Sequence, residues 1–127
     1  MNGADIPSDS LHDRPTATEL VAAVREYLER DVMPATEGRI AFHARVAVNV
    51  LGMVERELEL GAALDVAEHA RLVELLGRDG TIRELTELLA ADIRRGEMDS
   101  RWSEAVDHVR ATVRAKLEVA NPAYLQT

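Results

Sequence analysis

Four polar residues in or next to a mostly apolar stretch are the side chains of this sequence best suited to chemistry. The stretch covers residues 40–54 and contains His43, Arg45 and Asn49, and the fourth residue, Arg39, directly precedes it. Arginine can bind a carboxylate or phosphate through two parallel hydrogen bonds, and asparagine can orient such a group. Histidine exchanges protons near neutral pH. These residues are candidates for binding a ligand or partner; the alternative, which the sequence favours, is a buried structural network neutralised by internal acids.

The stretch itself is predicted to be the central helix of the fold. As a helix, residues 40–54 would carry apolar side chains on nearly every side, which is typical of a helix surrounded by others. We therefore expect it to be enclosed on all flanks, with a satisfied, buried His43. Gly52 would allow another backbone to approach closely.

Composition limits the classes of function. The chain has 127 residues, a formal net charge of −8, no cysteine and one lysine, Lys116. The absence of cysteine excludes disulfides and thiolate chemistry, and the acidic balance disfavours nucleic acid and anionic membranes as partners. No signal peptide or membrane-spanning segment is recognised, so a cytoplasmic protein is expected.

Two further groups of acidic residues and histidine raise the question of a metal site. Glu104, Asp107 and His108 lie close together in sequence, and Asp65, Glu68 and His69 form a similar group. Carboxylate-bridged bundles use paired Glu-x-x-His motifs, which this chain lacks. We predict no metal and no cofactor, and common catalytic motifs are also missing. An enzyme using His43 or His108 stays a minor alternative.

The hydrophobic pattern predicts an all-α bundle of about five helices in one domain over residues 15–127, after a disordered tail over residues 1–14. Capping-box pairs, prolines and glycines mark the helix ends. The predicted helices lie between Thr16 and Pro34, from Glu37 to Leu60 with Gly61 as the C-cap, from Asp65 to Gly77, from Thr81 to Gly96, and from Ser100 to Asn121.

Two apolar stripes are expected to face the core. The fourth helix presents one and the fifth presents the other, at three- and four-residue steps. The stripe of the fourth helix consists of Ile82, Leu85, Leu89 and Ile93, and that of the fifth helix consists of Trp102, Val106, Val109, Val113 and Leu117. After Asn121-Pro122, Tyr124 and Leu125 are expected to fold back as a hydrophobic lid; the alternative is an exposed docking tail, which makes Tyr124 a further candidate for partner binding.

Three segments together resemble a known family. They are Pro15-Thr16-Ala17 with Leu20, the run from Arg39 to Asn49 continuing into Val54-Glu55-Arg56-Glu57-Leu58, and the closing segment from Ala120 to Leu125. The sequence resembles a family of small bacterial proteins described as a domain of unknown function. The resemblance implies that this protein is encoded beside aminoglycoside-phosphotransferase-like kinases and acyl-CoA dehydrogenases. It assigns no catalytic residue.

The sequence therefore favours a non-enzymatic accessory or interaction protein of such a kinase or dehydrogenase pathway. A homodimer is expected about as readily as a monomer, since five helices can leave an apolar face uncovered. The alternative is a bundle that binds a small acyl or phosphorylated metabolite through Arg39, His43, Arg45 and Asn49.

Overall fold

The computed structural model describes Leu11 and residues 13–126, and all of its regular secondary structure is helical. The all-α class is thereby confirmed. Most of the predicted tail lies outside the described residues, and the division into a tail and one domain stays a prediction. Within the described range there are four long α-helices where the sequence predicted about five: α1 (Ala17–Tyr27), α2 (Gly38–Leu76), α3 (Ile82–Arg94) and α4 (Trp102–Ala120).

Two of the predicted start signals are confirmed, whereas the helix start predicted at Asp65 lies inside α2. Thr16 caps α1 and Thr81 caps α3, and each forms a complete capping box with the glutamate three residues later. A π-helical turn, Leu28–Val32, and a short turn, Met33–Ala35, extend α1 to just beyond Pro34. The wider π turn is a physical reason why the helix tolerates this proline, whose ring would otherwise meet the carbonyl group four residues earlier.

The prediction that a helix ends at Gly61 is wrong. Gly61 is a buried residue inside α2, which runs without interruption to Leu76. A glycine costs a helix about 1 kcal/mol relative to alanine, but a new helix would have to be nucleated at Asp65. The flanking leucine, glutamate and alanine residues favour helix, so continuing α2 through Gly61 costs less free energy than ending it and nucleating a second helix. Gly77 and Gly96, by contrast, lie just after α2 and α3, where helices were predicted to end, and both adopt positive φ.

The described residues fall into two compact units, one up to Leu58 and one from Glu59 onwards. The first unit contains α1 and the beginning of α2, joined through Thr36 and Glu37. The buried Ala44 lets the helices approach closely, and Arg25 Nε donates a 2.8 Å hydrogen bond to Glu55 Oε2. This bond raises the pKa of the Arg25 guanidinium group, so the two helices are joined by a stable ion pair.

The prediction that residues 40–54 are enclosed on all flanks is wrong. Only Ala44 and Gly52 are buried in this stretch, whereas Phe42 is 60% exposed and Val50 is 50% exposed. The reason is that, among the described residues of the first unit, α1 with its extension is the one helix that accompanies α2. A single neighbour covers one side of a helix and leaves the others to water.

The second unit has a conventional apolar core, formed by the end of α2 with α3 and α4. Its buried members are Leu72, Leu75, Leu85, Leu89, Met98 and Ala105. The predicted stripe of α3 is confirmed, since Ile82 and Ile93 pack against this cluster. At the α2–α3 connection, His69 Nε2 lies 3.0 Å from both Asp79 Oδ1 and the Gly80 carbonyl oxygen.

The predicted stripe of α4 is only partly buried. Trp102, Val109 and Val113 are exposed, and the buried face instead carries Ala105 and His108. This shift of the buried face reflects polar side-chain contacts, which the spacing of apolar residues alone does not reveal. None of the helices in the described part of the chain has both the length and the apolar character needed to cross a bilayer.

Candidate functional site

The four candidate residues of the first unit lie on the surface of α2. Arg39, His43, Arg45 and Asn49 are all exposed, so the favoured prediction of a buried network, including a buried His43, is wrong. Among the described residues the side chains of these four form no hydrogen bond or ion pair. The His43 ring makes an edge contact with the Phe42 ring, and the two ring centres are 5.5 Å apart. Whether they bind a ligand or partner stays a prediction.

The four do not point to one place. At 100° per residue, Arg39 and His43 lie within about 40° of each other, whereas Arg45 and Asn49 lie about 80–160° away from them around the helix. The cavities described below are lined by other residues. Tyr124 lies in the helical turn Pro122–Gln126 and is 63% exposed, so the prediction that it forms a lid is wrong.

The buried polar chemistry lies instead in the second unit, in a group that we call the Glu68 cluster: Glu68, Arg71, His108 and Thr112. The Thr112 hydroxyl lies 2.7 and 2.8 Å from the two carboxylate oxygens of Glu68, to which it donates. Arg71 Nη2 donates to Glu68 Oε1 at 2.8 Å, and His108 Nε2 lies 3.7 Å from Glu68 Oε2. One largely buried carboxylate thus connects α2 with α4.

His108 is the residue of this cluster whose titration is most affected by its surroundings. Only 7% of it is exposed, and burial lowers its pKa; Glu68 opposes this shift, while Arg71 adds to it. Its position next to the Glu68 carboxylate favours the tautomer with hydrogen on Nε2. Nδ1 then has a free lone pair, and this buried atom has no hydrogen-bond partner among the described residues.

An open cleft of about 540 Å³ adjoins the cluster. Its lining residues come from the end of α2, from the turn before α4 and from α4: Arg71, Glu74, Leu75, Arg101, Glu104, Asp107 and His108. Arg101 is held in place because its Nη1 donates to the Leu75 carbonyl oxygen at 2.7 Å and its Nε donates to Glu104. The cleft therefore combines two arginines, three acids and one neutral histidine.

The two sequence groups considered for a metal are divided among other contacts. Glu68 binds Thr112 and Arg71, His69 contacts Asp79, and Glu104 binds Arg101. Within the part of the chain that the structure describes, no three acidic, cysteine or histidine side chains are grouped as metal ligands.

Sequence reasoning missed the importance of Glu68, Arg71 and Thr112. The available signal was the i, i+4 pair His108 and Thr112 beside Ala105, which gives α4 a narrow face of small and polar residues. Such a face can approach an acid on another helix. The valine stripe next to it gave a stronger periodic signal and concealed it.

Glu68→Ala is expected to lower the free energy of unfolding by about 2–3 kcal/mol, because it removes the shared acceptor and leaves Arg71 and Thr112 without their partner. Urea unfolding followed by circular dichroism measures this. The matched control is Glu87→Ala, which removes an acid from the exposed Arg83–Glu87 pair and should cost less than about 0.5 kcal/mol. Equal effects would contradict the structural role of Glu68.

His108→Gln should reduce the loss of stability in mild acid. Since the pKa of His108 is lowered on folding, the stability that its neutral form contributes is fully present above about pH 6.5 and is lost as the pH falls through the folded-state value. Unfolding free energies at about pH 7.5 and about pH 5.5 should therefore differ less in the variant than in the wild type. Ser103→Ala, on the exposed side of α4, serves as the control. Equal differences in all three proteins would contradict this assignment.

Comparison with known proteins identifies the family. The family model of a domain of unknown function, DUF6285, matches residues 34–124, from the last turn before α2 to the turn after α4. No curated protein and no solved structure matches the chain. The matched region contains both the exposed part of α2 and the Glu68 cluster. The chain therefore belongs to the DUF6285 family, a domain of unknown function.

Proposed function

We propose that this protein is a non-enzymatic interaction protein of the cytoplasm, which binds another polypeptide through the apolar faces of its first unit. One observation carries the proposal: ten large apolar side chains on α1 and α2 of this unit are at least a third exposed. They are Leu20, Val24, Tyr27, Ile40, Phe42, Val46, Val50, Met53, Val54 and Leu58.

The area involved supports this proposal. Together these side chains leave roughly 1,000 Å² of apolar surface in water, distributed over the faces of α1 and α2, and large exposed apolar faces mark sites of protein–protein contact. Removing apolar surface from water contributes about 25 cal/mol per Å². A partner that covered even half of this surface would therefore gain a large free energy of binding, from which the costs of association are subtracted.

The arrangement of the ionisable groups favours binding over catalysis. Glu68 is occupied by Thr112 and Arg71, and Glu104 by Arg101, so these acids are held by structural contacts. The exposed His43 contacts the Phe42 ring. An aromatic residue beside a polar group on an exposed helix is typical of a protein–protein contact.

The partner that we propose is a kinase of the aminoglycoside-phosphotransferase type or an acyl-CoA dehydrogenase encoded beside this gene in a bacterial genome. The resemblance noted in the sequence supports this choice. In that role the protein would act as an accessory that stabilises or positions the enzyme, and its own residues would not take part in the reaction.

Purified protein mixed with each of these two enzymes should co-elute with one of them from a size-exclusion column. Leu20→Ser combined with Val24→Ser changes only α1 and should weaken the complex at least about tenfold, because it removes apolar contact area. The control is Val66→Ser, an exposed apolar position of the second unit. Failure of both enzymes to co-elute, or an equal effect of the control, would contradict the proposal.

A second candidate function is the binding of a small acyl or phosphorylated metabolite. The observation that favours it is the cleft beside the Glu68 cluster, which Arg71, Arg101 and His108 line together with acidic residues. The Arg101 guanidinium group would bind the carboxylate or phosphate group of such a ligand. This location differs from the Arg39, His43, Arg45 and Asn49 site expected from sequence, whose members lie on an exposed helix surface.

Calorimetric titration with inorganic phosphate and, separately, with butyrate tests this candidate. Saturable binding with a Kd of about 1 mM is expected for one of the two probes and should be lost in Arg101→Gln. Arg83→Gln, on the exposed side of α3, is the control. The absence of saturable heat with both probes would reject a metabolite site in this cleft.

A further inference from the structure

We propose that α2 of the first unit pairs in antiparallel orientation with the same helix of a second copy of this chain. The pairing surface is a row of exposed residues along one side of α2, which we call the α2 stripe: Arg39, His43, Val46, Val50, Met53 and Glu57. This inference rests on the proposed function, because it names one occupant of the exposed apolar surface.

The spacing of the α2 stripe is that of a coiled-coil seam. Its steps along the sequence are four, three, four, three and four residues, an average close to the 3.5-residue repeat that keeps a seam facing its partner. At 100° per residue the six positions fall within an arc of about 80°. Phe42 and Val54, both exposed, border this arc at opposite ends and widen the apolar surface.

The stripe is complementary to itself when its direction is reversed. Because the residue spacing is the same from either end of the stripe, a two-fold axis at the level of Val48 places each stripe residue opposite another stripe residue of the second copy. Val46 then packs on Val50 of the second copy, and His43 packs on Met53 of the second copy. Such an isologous contact, in which each surface binds its own copy, is the geometry of most homodimers.

Charge selects the orientation and the occupant. The stripe has an arginine at its first position, Arg39, and a glutamate at its last position, Glu57. Antiparallel pairing places each Arg39 opposite Glu57 of the second copy, whereas parallel pairing places like charges opposite each other. The residue pattern that complements the α2 stripe is the stripe itself in reverse. A second copy of this chain is therefore the binding partner that the sequence specifies most directly.

The area is of the right size for a reversible dimer. The six stripe residues with Phe42 and Val54 expose at most roughly 700 Å² per copy, so the area that pairing covers lies below the about 800 Å² per partner of a standard stable interface. Core packing would come from Val46, Val50 and Met53. The charged ends would supply orientation more than affinity, because exposed ion pairs contribute little.

Sedimentation equilibrium of the purified protein alone tests the dimer. The average mass should rise from that of one chain at about 1 µM towards that of two chains at several hundred micromolar. Val46→Asp should abolish this rise, with the helical circular dichroism signal unchanged because residue 46 lies at the surface. A mass of one chain at every concentration would overturn the proposal, even if a complex with the kinase or dehydrogenase persists.

Charge exchange tests the ion pair. Arg39→Glu and Glu57→Arg should each raise the dimer Kd about tenfold, and the double variant should restore it. Arg45→Glu is the matched control, because it makes the same charge change on the same helix but outside the stripe. Equal weakening by Arg45→Glu, or no recovery in the double variant, would overturn the assigned pairing.

Disulfide trapping tests the orientation, and the chain offers a clean background because it contains no cysteine. An equal mixture of Val46→Cys and Val50→Cys proteins should form mainly the mixed disulfide under mild oxidation, since these positions oppose each other across the axis. Predominant disulfides between identical variants would overturn the antiparallel arrangement. This result is independent of whether either enzyme binds, so failure of the dimer and failure of the proposed function are distinguishable.

Discussion

A helix whose apolar residues cover most of its circumference needs neighbours on several sides, and the first part of α2 has one. α1 covers the side that carries Ala44, and the Arg25–Glu55 ion pair holds the two helices together there. The remaining sides present valine, methionine and phenylalanine to water. This imbalance between the apolar surface that the sequence supplies and the cover that the first unit provides is the basis of both the proposed function and the proposed dimer.

In the second unit the group that needs partners is a buried charged one. The six core residues of this unit are covered, and the group whose burial costs free energy is the carboxylate of Glu68, which is largely removed from water between α2 and α4. The Thr112 hydroxyl and the Arg71 guanidinium group satisfy it, and His108 stays neutral beside it because burial lowers its pKa. Such a network fixes which side of α4 faces α2, since any rotation of α4 would leave the carboxylate without its partners. The exposed Trp102 and Val109 are a consequence of that choice.

Local chemistry predicted the local features of this fold well. The capping boxes at Thr16 and Thr81 and the positive φ of Gly77 and Gly96 follow from short-range hydrogen bonding and backbone sterics, so the sequence identifies them directly. The stripe of α3 was also predicted, because no polar pairing competes with its apolar residues. Gly61 was misjudged because a glycine signal was weighed without the strong helix formers on both sides.

The candidate site was harder to predict, because it depends on which helices meet. An apolar period shows that a helix face avoids water, but it does not show whether the cover comes from the same chain. For that reason residues 40–54 were expected to be enclosed, and Arg39, His43, Arg45 and Asn49 were expected to be neutralised internally. The contact of Glu68 with Thr112 spans 44 residues, and the narrow polar face around Thr112 does not indicate which acid it meets.

Oxidation of Met53 as a function of protein concentration tests the central claim most directly. Met53 is 38% exposed and lies in the middle of the α2 stripe, whereas Met98 is 5% exposed in the core of the second unit and serves as the internal reference. If the apolar surface of α2 is covered by a second copy, peroxide should oxidise Met53 quickly in dilute solution and much more slowly at high concentration, with Met98 slow throughout. Rapid oxidation of Met53 at every concentration would contradict the account.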